Sequence, residues 1–190
     1  MPAGTKAGVA PSLPRQLTWW ILALPVAMLW ALAAHSFYLL DYTHVLAGAM
    51  WTGADLFLGF ILAPVLRRLA PEQRKTVINW LVPRTLLYMP VVAATTGTAG
   101  WYLAGWDGFL SPAGPRYPWI VAALAILTVL TLQGLGVMLP NNVRIYLELR
   151  RSQADLGKIV RLNRINMFLA GSQGILQVAV ILVMARLAVG

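Results

Sequence analysis

Apolar residues run in five blocks separated by short polar or basic segments, and each block approaches or exceeds the roughly 20 residues that a helix needs to cross a bilayer core. The blocks extend from about Trp19 to Tyr38, Tyr42 to Leu66, Leu81 to Trp106, Trp119 to Leu139 and Ile165 to Leu187. This pattern predicts an all-α integral membrane bundle of five transmembrane helices, built as a four-helix core plus an extra N-terminal helix. The first block starts too late, and lacks the small-residue cleavage pattern, to read as a removable signal peptide, so it is expected to be a retained helix. Residues 1–16, with Pro2, Gly4, Gly8, Pro11 and Pro14, read as a flexible tail. Residues 17–190 read as one transmembrane domain without an internal repeat.

Composition agrees: 59% of the 190 residues are hydrophobic and 11% are charged, a balance that no soluble domain of this size needs. The net charge of +9 would suggest a nucleic-acid partner in a soluble chain. Here it has to be read against the spans, and no nucleic-acid partner is expected. Of the fifteen basic residues, all but Arg116 and Arg186 fall on one side: Lys6, Arg15, Arg67, Arg68, Arg74, Lys75, Arg84, and the group from Arg144 to Arg164. Basic residues are retained in the cytoplasm, so the N-terminus is expected inside and the C-terminus outside, in the cell's inner (cytoplasmic) membrane. Trp19, Trp20 and Trp80 would mark the inner interface, and Trp101, Tyr102, Trp106, Tyr117 and Trp119 the outer one. The segment from Asn141 to Arg164 reads as a cytoplasmic extension of the helices that meets anionic lipid. Cysteine is absent, which removes disulfides, thiolate metal sites and thiol catalysis.

Candidate chemistry concentrates in the second block. His44, Trp51 and Asp55 are separated by seven and four residues, and at 3.6 residues per turn they share one helix face with Gly48. An ionisable Asp inside a spanning segment is costly unless it faces protein, so this face is expected to look into the bundle. Asp55 is then a candidate proton-carrying group, with pairing to Arg84 as the structural alternative. His44 is a candidate ligand through its imidazole, and Gly48, Ala49 and Gly53 beside it would let a flat group approach. His35 lies near the end of the first block, either as an interfacial residue bonded to a loop carbonyl or as a second ligand. Met50 and Met89 are alternative axial candidates, with packing as their ordinary role. In the last block Asn166, Gln173 and Gln177 repeat the spacing of seven and four. Such amides usually bond across helices, and they could also line a pocket.

The run His44-Val-Leu-Ala-Gly-Ala-Met-Trp51-Thr-Gly53 resembles the opening of the copper-resistance protein D family, a His followed seven residues later by Trp and then x-Gly. The same His-to-Trp spacing is similar to the HemJ family of membrane protoporphyrinogen oxidases. The resemblance continues through Pro83-Arg84-Thr-Leu-Leu-Tyr88-Met-Pro90, a Thr/Gly-rich helix with Gly97 and Gly100, and Arg161-Leu-Asn163, and covers approximately residues 42 to 187. This chain differs from HemJ in reading Phe57 to Pro64 where a Leu-Pro-Arg motif would stand, in following Asn163 with Arg164 rather than Glu, and in its extra first span.

The resemblance implies a haem b-binding membrane protein with His44 as axial ligand and with Trp51, Arg84 and Asn163 in the same site; Gly48 joins them as the small residue on the His44 stripe. Electron transfer or a membrane-linked oxidation is the expected function, with quinone or porphyrinogen as candidate partners. Two alternatives stand beside it. In the first, His35, His44, Asp41 and a Met handle a copper ion at the outer face. In the second, the chain is a non-catalytic helical subunit held by its polar stripes to copies of itself or to a larger membrane complex. No Walker-type loop, nucleotide fingerprint or nucleophile elbow is present.

Overall fold

The computed structural model describes residues 17–189, and the tail expected over residues 1–16 lies outside them. Among the described residues the chain forms five helices and no strand: α1 (Trp19–Ala33), α2 (Phe37–Arg68), α3 (Pro71–Trp106), α4 (Tyr117–Leu149) and α5 (Leu156–Val189). The last four, at 32, 36, 33 and 34 residues, are long and apolar enough to cross a membrane. The protein is a multi-pass helical membrane bundle.

α1 is shorter than its apolar block suggested. A four-residue 3-10 turn leads into eleven residues of α-helix, giving a rise of about 25 Å against the roughly 30 Å of a hydrocarbon core. The chain turns at residues 34–36 instead of around Leu39 to Asp41. His35 there adopts a left-handed φ of 48°. Ser36 follows as an N-cap, its Oγ accepting from the Leu39 N–H at 3.3 Å, and helix restarts at Phe37.

At the arginine-rich end the helices run well past their apolar blocks, as the polar segment from Asn141 to Arg164 led us to expect. α3 starts at Pro71 and α5 at Leu156, and α4 continues to Leu149. Side chains close the two turns at this end. Arg74 donates to the carbonyls of Leu66 (2.8 Å), Arg67 (3.2 Å) and Leu69 (3.2 Å), placing a cation on the negative end of the α2 dipole. Glu148 accepts from Lys158 at 2.8 Å and Arg151 at 3.2 Å, tying α4 to the start of α5.

α2 sits at the centre, packed against α1, α3 and α5, and α5 in turn packs along α4. Trp51 and Ala47 of α2 share the largest core cluster with Ile21 and Leu24 from α1, Val92 from α3 and Leu130 from α4. α3 approaches α4 along Leu139–Leu149, whereas over Tyr117–Gln133 the two helices draw apart.

Two helices contain a widened, π-helical turn: Phe57–Leu62 in α2 and Gly134–Met138 in α4. Each is followed two residues later by a proline, Pro64 or Pro140. A proline offers no N–H to the carbonyl four residues back and its ring collides with it. Those carbonyls belong to Phe60 and Gly136, both inside the widened turns, so the extra residue relieves the collision without breaking the helix. The turn in α2 also brings Gly59 onto Gly171 of α5. A Cβ on Gly59 would lie 2.3 Å from Gly171 Cα, so backbone meets backbone as in small-residue membrane contacts.

That contact makes a prediction. Gly59→Val is expected to lower stability by about 1–3 kcal/mol, the usual cost of overpacking. Gly53→Ala, whose added Cβ meets nothing within 4 Å, should be close to neutral. Thermal unfolding of the detergent-solubilised protein measures both.

Candidate functional site

The stripe on α2 faces the bundle interior. His44 Nδ1 lies 2.9 Å from the main-chain carbonyl oxygen of Thr96 on α3. A carbonyl oxygen can only accept, so Nδ1 carries the proton and Nε2 holds the free lone pair. The imidazole rests on Gly100, one turn further along α3, where a Cβ would come within 2.7 Å of His44 Cε1 and 3.1 Å of Nδ1. Gly48, one turn below, faces Thr96, with 3.4 Å from an added Cβ to Thr96 Cγ2. Thus Thr96 and Gly100 together form the seat that orients the ring.

Trp51 and Asp55 lie deeper, and Asp55 is fully buried. Its Oδ2 accepts from Gln177 Nε2 of α5 at 2.9 Å. Asp55 Oδ1 and Gln177 Oε1, both buried acceptors, have no hydrogen-bond donor among the described groups. The other two amides of the α5 stripe bond to α4. Gln173 Nε2 donates to Leu130 O at 3.0 Å. Asn166 donates to Met138 O at 3.2 Å and to Asn142 Oδ1 at 2.7 Å, and accepts from Asn141 Nδ2 at 3.1 Å. The two polar stripes seen in the sequence therefore meet at Asp55 and Gln177, and the rest of the α5 stripe is spent on α4.

Where α3 and α4 draw apart, a cavity of about 260 Å³ opens. Its α3 wall runs from Thr85 to Thr98 and is made mostly of small residues, with Met89 the large one, and Leu127 and Thr131 stand opposite. Trp51 and Gln173 close the back, and Asn142 lies toward the arginine-rich end. His44 is not in its lining, which on α3 is shared by Met89 and Thr85, seven and eleven residues before Thr96.

Other sequence candidates are placed apart from His44. Arg84 is exposed, its guanidinium 5.1 Å from the Trp80 ring centroid and donating to Trp80 O at 2.7 Å. It lies twelve residues before Thr96, about 18 Å along α3. The partner of Asp55 is Gln177 in place of Arg84, whose guanidinium turns to its own helix end. Asn163 is buried near the same end. His35 is exposed in the α1–α2 turn, 6.0 Å from the Trp106 ring, and Asp41 is exposed on α2. Among the described residues, no three His, Asp or Glu side chains gather at one point.

Sequence reasoning missed the pairing of His44 with Thr96 and Gly100, naming the Thr/Gly-rich run of α3 without giving it a partner. Gln177 as the partner of Asp55 carried a signal, since its stripe repeats the spacing of the α2 stripe. No family model, no curated protein and no solved structure matches this chain.

The seat of the imidazole can be tested by a cycle of variants. Gly100→Ala is expected to lower stability by about 1–3 kcal/mol through displacement of the ring. In the double variant His44→Ala/Gly100→Ala the methyl occupies vacated space, so the two losses should not add. Unfolding midpoints of the four proteins give the coupling.

Proposed function

We propose that this protein binds haem b through His44 Nε2 and works in electron transfer or a membrane-linked oxidation, with its N-terminus on the cytoplasmic side of the cell's inner membrane. The observation that supports the reading is the hydrogen bond from His44 Nδ1 to Thr96 O. Imidazoles that ligate metals almost always give their other N–H to a carbonyl or carboxylate, which fixes the ring and raises its basicity. The residues fit the group in this respect: one oriented imidazole with a free lone pair, on a helix pair whose contact is built from Gly48 and Gly100. A haem held there supplies one-electron chemistry at the iron.

The chain's own residues supply the rest. Thr96 and Gly100 hold the ring's orientation. Trp51 fills the bundle below it and separates it from Asp55. A proton held on the Asp55 carboxyl group would give Gln177 Oε1 its missing donor and satisfy both orphaned oxygens at once. Asp55 in this reading stores a proton in the membrane interior, which suits a redox protein whose substrate exchanges protons with electrons. The Arg84 guanidinium turns to its own helix end, about 18 Å along α3 from Thr96.

Purified protein decides the reading. A Soret band with a b-type pyridine haemochrome is expected, lost in His44→Ala. Copper by elemental analysis without haem would favour the copper-handling alternative, and a protein with neither would favour a helical subunit. A second measurement addresses Asp55. Asp55→Asn offers Gln177 both a donor and an acceptor and should unfold near the wild-type temperature. Asp55→Ala leaves the amide unpaired and should cost about 1–3 kcal/mol.

A further inference from the structure

The cavity between α3 and α4 has a chemistry of its own. None of its lining side chains is ionisable. A charged group buried there would find no counter-charge, which excludes phosphate head groups, fatty-acid carboxylates and the propionates of a porphyrin. The walls are apolar and built largely of small side chains on the α3 side, where Gly97 stands with only the Leu127 methyls 3.8–4.0 Å from an added Cβ. Trp51 presents an aromatic surface at the back.

Polar groups nevertheless converge on it. Asn142 spends its side-chain oxygen on Asn166 Nδ2 at 2.7 Å, which leaves its NH2 group as a donor. Thr131 spends its hydroxyl proton on Leu127 O at 2.8 Å, which leaves the oxygen as an acceptor. A plain hydrocarbon chain would use neither. Ligand sites combine apolar walls with a few placed polar groups in this way, and their usual volumes begin at about 300 Å³. At about 260 Å³ the cavity holds a single ring. A tail on that ring would leave sideways, since Thr98, Thr131 and Leu135 at the rim are exposed where the two helices separate.

We infer that this cleft binds the ring of a neutral, lipid-soluble molecule of the quinone class, drawn from the bilayer. The inference deepens the electron-transfer reading by naming a partner's class, but the cleft does not contain His44, and binding can be read without haem.

Decyl-ubiquinone, titrated into the detergent-purified protein and followed by calorimetry, is the probe. Saturable binding is expected, at one molecule per chain. Gly97→Leu places a side chain in the cleft and should weaken binding by at least about tenfold while the protein still unfolds cooperatively; Asn142→Leu, removing the donor, should weaken it by about tenfold. Should Gly97→Leu fail to fold, Gly97→Val takes its place. His44→Ala should bind the probe as the wild type does. Unchanged affinity in both cleft variants would overturn the inference, as would oleate displacing the probe at equal concentration. Loss of haem with retained probe binding, or the reverse, separates the failure of one reading from failure of the other.

Discussion

A carboxyl group placed in the interior of a membrane bundle must find its hydrogen-bond partners inside the protein, and Asp55 finds Gln177. The constraint extends beyond one pair. His44 reaches Thr96 O, Gln173 reaches Leu130 O, and Asn166 reaches Met138 O, each on another helix. Packing of apolar side chains gives little preference between rotations of a helix surrounded by lipid, because lipid is as apolar as leucine. These bonds supply the preference. They set which face of α2 meets α3 and α5, and which face of α5 meets α4.

The prolines act on the same helices through the backbone. Pro64 and Pro140 each force a widened turn, and each turn lies at a junction with α5. In α2 the turn carries Gly59 to Gly171, a close approach between two backbones, just below the Asp55–Gln177 pair. In α4 it ends at Met138, whose carbonyl accepts from Asn166. Local strain and long-range hydrogen bonding thus reinforce each other, as expected where small residues and side-chain amides hold membrane helices together.

The result is an interior with two distinct compartments. Against Thr96 and Gly100 of α3 an imidazole is seated with a lone pair free. Between α3 and α4 a cleft without His44 in its lining carries neutral polar groups and no charge. Trp51 lies between, sharing the core with α1, α3 and α4, and Asp55 is one turn behind it. An electron carrier beside a lipid-soluble acceptor, with a proton store at the back, would use such a layout directly.

Much of this was written in the one-dimensional pattern. Block length and charge distribution determined that the chain is a helical membrane bundle, because the bilayer forces internal hydrogen bonding and a minimum length on any spanning segment. The spacing of His44, Gly48, Trp51 and Asp55 determined that they share a face, and the cost of burying a carboxyl group determined that this face looks inward. What periodicity lacks is the identity of the facing helix. Only the tertiary structure decided that His44 is seated on Thr96 and Gly100, that Asp55 pairs with Gln177 in place of Arg84, and that α3 and α4 part to leave a cleft. It also decided that α1 stops at Ala33, since a run of apolar residues continues through a turn without showing it, and His35 in its left-handed conformation marks the break only once the fold is known. These are properties of pairs of helices, fixed by contacts between residues as far apart as 122 positions, and no local pattern carries them.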